Sequence, residues 1–166
     1  MLRRLVPLIL VVLLAGAYGY TRIHDEGDSA TTARVVRAVD GDTIVVSVGG
    51  GRQERVRYIG VDTPETVKPG APVQCFGKYA SKFNHLLVDG REVRLVVGAE
   101  ARDRYGRLLA YVYRAEDGMF VNAELVRDGY AKPLTIPPND RYADRFRALA
   151  TEARRAGRGL WNACPR

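Results

Sequence analysis

A chain of 166 residues, 46% hydrophobic and 27% charged, has the size and composition of one globular domain with its own core. It carries no low-complexity tract and no internal repeat, which sets it apart from disordered and repeat architectures. A net charge of +7 and a pI near 9.7 point to polyanionic partners, either nucleic acid or an anionic membrane surface.

The N-terminus reads as separate from the domain. Arg3 and Arg4 form a short basic region, Leu5 to Leu14 is continuously apolar, and Ala15-Gly16-Ala17 has the small-x-small pattern of a signal-peptidase site. Residues 1–17 are therefore expected to be a signal peptide. The alternative is an uncleaved anchor, since the charge-free run of residues 5–21 is at the lower limit for crossing a bilayer. Either reading puts the domain outside the cytoplasm, because Arg3 and Arg4 stay inside. The polar stretch 18–32, which contains Asp25-Glu26-Gly27-Asp28-Ser29 and His24, reads as a flexible linker, leaving 33–166 as the domain. The chain has two cysteines, Cys75 and Cys164. In an oxidising compartment they read as one disulfide tying the C-terminus back; two buried or free thiols are the alternative.

Within the domain, alternating residues predict strands over 33–39, 43–48 and 53–61. Asp40-Gly41-Asp42 and Gly49-Gly50-Gly51 turn the chain between them. Residues 66–72, with Pro69, Gly70 and Pro72, read as loop. Ala80, Phe83 and Leu87 at helical spacing predict a helix over 76–88, closed by Asp89-Gly90. His85 on that helix reads as a surface or partly packed residue with no partner nearby. Two more strands are predicted over 91–97 and 107–113, with a charged loop over 98–106 between them. Helices are predicted over 121–127 and 140–155, the last with the apolar stripe Tyr142, Phe146, Leu149 and Ala153. Trp161 reads as core filler that seats the tail. Five strands with a helix between the third and fourth suggest an α+β, mainly β architecture: an OB-fold five-stranded Greek-key barrel with three helices. A small α+β sandwich would give a similar string.

Four features carry chemistry. Asp40-Gly41-Asp42-Thr43 taken singly is ordinary hairpin chemistry, and Arg57 taken singly is a surface strand residue. Asp103-Arg104-Tyr105-Gly106-Arg107 could be a solvated charged loop. In Asp62-Thr63-Pro64-Glu65, Pro64 restricts the backbone between two acids. Together they supply two acids for a hard cation, a third carboxylate and two arginines at strand ends. Hydrolysis of a phosphodiester needs a polarised non-bridging oxygen, an oriented water and compensation of growing negative charge. Oxygen donors select Ca²⁺ or Mg²⁺, arginine matches phosphate geometry with paired donors, and no His/Cys cluster suggests zinc.

On these motifs the chain resembles the thermonuclease, or staphylococcal nuclease-like, family across residues 33–161. The resemblance rests on Val39-Asp40-Gly41-Asp42-Thr43, Arg57 through Glu65, Asp103 through Arg107 followed by Leu108-Leu109-Ala110-Tyr111-Val112, and Val121-Asn122 through Ala131-Lys132. It implies an OB-fold barrel with three helices and Ca²⁺-dependent hydrolysis of DNA and RNA that leaves 3′-phosphate ends. By the same resemblance Asp42 and Asp62 are metal ligands, Thr63 gives a backbone carbonyl, and Glu65 handles the attacking water as general base or as positioner. Arg57 and Arg107 bind the scissile phosphate and stabilise its transition state. Tyr105 lines the nucleotide pocket, and Arg104 stands where the family often has a lysine.

The resemblance stops after Lys132. There the family's best-known member has a tyrosine-bearing run, whereas Pro133-Leu134-Thr135-Ile136-Pro137-Pro138 holds no aromatic group. The cysteine pair is also absent from that member. The expected function is an exported Ca²⁺-dependent nuclease of low sequence specificity, a monomer with DNA and RNA as substrates and no obligate protein partner. A membrane association arises only if the N-terminal segment is retained. The second class of reading is a non-catalytic OB-fold nucleic-acid-binding module, which would need none of Asp42, Asp62, Glu65, Arg57 and Arg107.

Overall fold

The alternation in the first half of the chain closes into a barrel. The structure, a computed structural model, describes residues 30–66, 70 and 72–164. The expected signal peptide and nearly all of the expected linker lie outside the described residues. Five strands form the closed barrel: β1 (Ala30–Ala38), β2 (Thr43–Val48), β3 (Arg52–Tyr58), β5 (Glu92–Arg102) and β6 (Leu108–Arg114). Their order around it is β1-β2-β3-β6-β5, and β5 pairs back with β1. Every pairing is antiparallel except β3 with β6, which is parallel. This is the mainly β, five-stranded barrel with helices that the OB-fold reading anticipates. Ile44, Val46, Val56, Val93, Leu95 and Val112 point inward and are fully buried.

Among the described residues four α-helices complete the domain: α1 (Gly77–Val88), α2 (Val121–Arg127), α3 (Ala143–Arg155) and the single turn α4 (Leu160–Ala163). Phe146, Ala150 and Ala153 bury one stripe of α3. Phe146 fills the space beside Gly60, where an added Cβ would come within 2.3 Å of its ring. The φ of Gly60 is +80°, so the turn after β3 requires glycine on both counts.

Several expectations change. The first strand begins at Ala30, three residues inside the expected linker, because Ala30, Thr31 and Thr32 pair with Val96, Leu95 and Arg94 of β5. The expected charged loop 98–106 is strand as far as Arg102, across a break in register after Val97. Asn139 holds that bent edge, accepting the Glu100 N–H at 3.0 Å and donating to its carbonyl at 2.9 Å. Two further strands, β4 (Val61–Asp62) and β7 (Lys132–Pro133), pair with each other, and two residues are too few to leave a periodic signal. The turn α4 was not expected either; it is seated by the Leu160 N–H on the Gly129 carbonyl at 2.8 Å. His85 is not without a partner: its Nδ1 lies 2.6 Å from Asp89 Oδ2, and Asp89 also accepts the Ala38 N–H at 2.7 Å. The pair fastens the end of α1 to the end of β1. Trp161 is half-buried, with the Arg154 guanidinium 4.4 Å from its ring centre. Cys75 and Cys164 are joined by a disulfide, their Cα atoms 5.8 Å apart. No helix among the described residues is long and apolar enough to cross a membrane.

Candidate active site

The carboxylates are gathered where the chain leaves two strands. Asp42 sits in the turn between β1 and β2, and Asp62 ends β4 just after the Gly60 turn. Two buried asparagines hold these turns. Asn84 of α1 accepts the Tyr58 hydroxyl at 2.9 Å and donates to the Asp40 carbonyl at 2.8 Å. Asn122 of α2 donates to the Ile59 carbonyl at 2.9 Å and accepts the Val112 N–H at 2.9 Å. Both side chains are fully buried, so each must keep both partners, and each thereby locks a helix onto a turn of the site. Sequence reasoning missed them. A polar residue on the apolar face of a helix, as in Val121-Asn122-Ala123, was the available signal.

Arg57 is the hub. Its Nε lies 3.2 Å from Asp42 Oδ1, and one Nη donates to the carbonyls of Tyr58 at 3.0 Å and Val61 at 2.8 Å. The other Nη donates to Asp62 Oδ1 at 3.1 Å. Asp42 is itself buried and accepts the Thr63 N–H and hydroxyl, both at 2.8 Å. Gly41 is required beside it, since a Cβ there would fall 2.6 Å from the Thr63 hydroxyl oxygen. Asp42, Arg57, Asp62 and Thr63 are therefore in one contact network.

Glu65 follows at the entrance to α1. Its N–H donates to the Gln74 side chain and its carbonyl accepts the Gln74 N–H, both at 2.9 Å, so the two ends of the 66–73 segment are clasped together. The Glu65 carboxylate accepts the Thr66 N–H at 2.9 Å.

Burial, and after it the neighbouring negative charge, leaves its mark on the acids. Burial, reinforced by the charge of Asp42, pushes Asp40 up to about 6. Asp62 is also raised, first by burial and then by Asp42, with Glu65 adding to the effect and Arg57 opposing it. Lys132 also opposes the rise at Asp62. Among the described residues no group of three His, Cys, Asp or Glu side chains is arranged to hold a metal. The expected ligand set has two side-chain carboxylates and one backbone carbonyl, all hard oxygen donors. This donor set fits a hard divalent cation.

Arg107 comes from a separate loop. It precedes β6, and its Nε and one Nη grip Asp103 Oδ2, each at 2.7 Å. Asp103 Oδ1 accepts the N–H groups of Tyr105 and Arg107, so one carboxylate shapes the loop and aims the arginine. Burial alone would raise Asp103, but the hydrogen bonds from the Arg107 side chain and these backbone groups outweigh it and hold it below the usual carboxylate range. Asp103 is the third residue sequence reasoning did not place, although its spacing four residues before Arg107 was legible.

Tyr105 is 68% exposed, with Arg104 donating to its hydroxyl at 2.6 Å. Arg57 and Arg107 line one cleft of about 490 Å³, together with Arg104, Tyr105 and the aliphatic Leu109, Leu134 and Ile136. The structure thus brings both arginines and Tyr105 to one cleft. It does not put Arg107 in contact with the carboxylate network.

Comparison with known proteins decides the family. The profile of the family described as staphylococcal nuclease homologue matches residues 55–163. The chain belongs to the staphylococcal nuclease family. It is 45% identical over 127 residues to the thermonuclease of Staphylococcus intermedius, covering 76% of this chain and 74% of that protein. It is 42% identical over 131 residues to the thermonuclease of Staphylococcus hyicus, covering 79% and 76%. Endonuclease YncB of Bacillus subtilis (strain 168) is 44% identical over 128 residues, covering 76% of this chain and 59% of that protein. With these relatives, the chain is a nuclease hydrolase of this family, and the non-catalytic binding module is not retained.

Proposed function

We propose that the chain is an exported Ca²⁺-dependent nuclease that hydrolyses DNA and RNA with low sequence specificity and leaves 3′-phosphate ends. The observation that carries the reading is the joining of Asp42 and Asp62 by Arg57, with Thr63 held on Asp42, beside a cleft that Arg57 and Arg107 both line. Asp42, Asp62 and the Thr63 carbonyl would hold the cation, which supplies Lewis-acid polarisation of a phosphate oxygen when bound.

The protein's own groups do the rest. Arg107, anchored on Asp103 through Nε and one Nη, keeps its other Nη for a phosphate oxygen in the cleft. Arg57 trades its contact with the exposed Asp62 for a second phosphate oxygen while staying on the buried Asp42. Glu65 orients the water or takes its proton. The water oxygen bonds to phosphorus, its proton passing to Glu65 or to bulk water, and the bond to the 5′ oxygen breaks, that oxygen taking a proton from bulk water as it leaves. The cleft's wall of Leu109, Leu134 and Ile136 offers apolar contact without directional hydrogen bonding, which suits low base specificity.

Export rests on the Arg3-Arg4, apolar-run and Ala15-Gly16-Ala17 pattern, and the Cys75–Cys164 bond suits an oxidising compartment. The test is digestion of single-stranded DNA and RNA by the full chain with Ca²⁺, with excess chelator, and with Glu65→Gln. Cleavage with Ca²⁺ alone, lost with chelator and in the variant, is the expected result. Equal digestion in every tube would overturn the site, and 5′-phosphate products would overturn the bond assignment.

A further inference from the structure

The outer face of the barrel beside Arg57 carries arginines that the proposed chemistry does not use. On β2 and β3, Thr43 pairs with Arg57, Val45 with Arg55, and Ser47 with Gln53, and these positions share the face opposite the buried Ile44, Val46 and Val56. On β1, Arg34 pairs with Ser47 and Arg37 with Val45. The Arg37 pairing depends on a bulge: Val35 faces Val46, Arg37 faces Val45, and Val36 is the extra residue between them. Without it the alternation would send Arg37 inward, opposite Ile44. Bulges that re-aim a side chain recur next to active sites.

The parallel register extends the row, because Val56 pairs with Leu108 and so sets Arg107 beside Arg55. Arg37, Arg55 and Arg107 therefore follow one another across the barrel, with Arg57 one step along the same face. Arg37 and Arg55 are two strand spacings apart, about 10 Å. Arg34, Arg37 and Arg55 are exposed, and none makes an ion pair among the described residues. No acidic residue occupies the outward positions of β2 or β3, and Glu54 lies in the opposite set, where it meets Arg52 and Arg102. Arg34 differs: Glu92 of β5 faces it across the sheet, and Asp89 and Glu116 line the same pocket, so the acid-free row ends at Arg37.

We propose that Arg55 and Arg37 form a phosphate track that carries a single polynucleotide strand away from the scissile phosphate, on the side opposite the cleft. This rests on the nuclease reading. A single row of unpaired cations leading out from the two phosphate arginines matches the repeating charge of one strand. It makes the enzyme prefer chains over dinucleotides through binding, not through the chemical step.

The test is the pair Arg37→Gln with Arg55→Gln, against Arg147→Gln with Arg155→Gln, which removes equal charge from α3. Each full-length protein is assayed on a long oligothymidylate and on the dinucleotide thymidylyl-thymidine across a salt series. Binding of the long chain is read in parallel by fluorescence anisotropy. The track variant should leave kcat/KM for the dinucleotide unchanged. It should lower the slope of log K against log salt for the long chain by about 1.4, at about 0.7 per phosphate contact. Affinity would then fall about sevenfold less between about 50 and about 200 mM salt than it does for the wild type. An unchanged slope, equal losses on both substrates, or an equal effect of the α3 pair would overturn the track. If the wild type cleaves neither substrate the nuclease reading fails instead, while the anisotropy slopes still report on the track.

Discussion

The two arginines of the cleft are held in opposite ways. Arg57 lies on a barrel strand, its side chain only 12% exposed, with every donor nitrogen engaged by Asp42, Asp62 or a backbone carbonyl. Arg107 lies at the end of a loop and is tethered by one aspartate four residues earlier. The first arginine is part of the fold and the second is mounted on it. Arg57 sets where negative charge is tolerated, because Asp42 can be buried only while that guanidinium and Thr63 face it. Arg107 can adjust to a substrate because its loop is ordered chiefly by its own Asp103. A site built this way keeps its carboxylate half fixed by the fold and leaves its Arg107 half adaptable.

The comparison is broken most directly by Arg57→Ala. Activity should fall by more than about 10³, since a transition-state stabiliser is lost and the carboxylates are left misdirected. Stability should fall as well, by about 3 kcal/mol, the low end for uncovering a buried charge, because Asp42 keeps its hydrogen bonds to Thr63 and Thr43. Urea unfolding beside single-turnover cleavage measures both. An unaltered unfolding midpoint would show that Asp42 does not depend on Arg57. Next in size is Arg107→Ala, with a loss of about 10²–10³ in kcat. Its unfolding free energy should stay within about 0.5 kcal/mol of wild type, as for a surface change. If both variants destabilise equally, the distinction between a built-in and a mounted arginine is lost.

How much of this was legible beforehand follows the range of each signal. Barrel strands and main helices show in the sequence because burial alternates along them; α2 was read with the same limits, 121–127, at which it is found. That Asp42, Asp62, Thr63 and Arg57 come together could be anticipated because turn residues and Pro64 confine where those side chains leave the chain. What holds them could not be. Asn84 and Asn122 act across 44 and 63 residues of sequence, and no local pattern encodes a partner that far away. The two-residue pairing of β4 with β7 and the bulge at Val36 are likewise set by tertiary contacts. Asp103 is a different case. Its spacing to Arg107 was visible, but i,i+4 pairs are so common on protein surfaces that spacing alone does not distinguish a positioning residue from a solvated one.

Asp103→Asn is the finest probe of the mounted half. The amide keeps an oxygen to accept the N–H groups of Tyr105 and Arg107, so the loop shape survives, while the charged grip on the guanidinium is lost. Removing one hydrogen bond to a charged group is worth about 1.5 kcal/mol, so kcat should fall about tenfold with little change in folding stability. Acid pH separates this positioning role from a general loss of charge. The Asp103 carboxyl is held below its ordinary value in the folded protein, so its share of stability is present above the unfolded value of about 3.9 and is lost as pH falls through the lowered folded value. The grip on Arg107 is therefore intact at neutral and mildly acidic pH. The ratio of wild-type to variant affinity for a short oligonucleotide should stay constant down to about pH 4 and shrink only below it. A ratio that already shrinks near pH 6 would assign the effect to another group, Asp40 being the one raised to about 6, and would detach Asp103 from the aiming of Arg107.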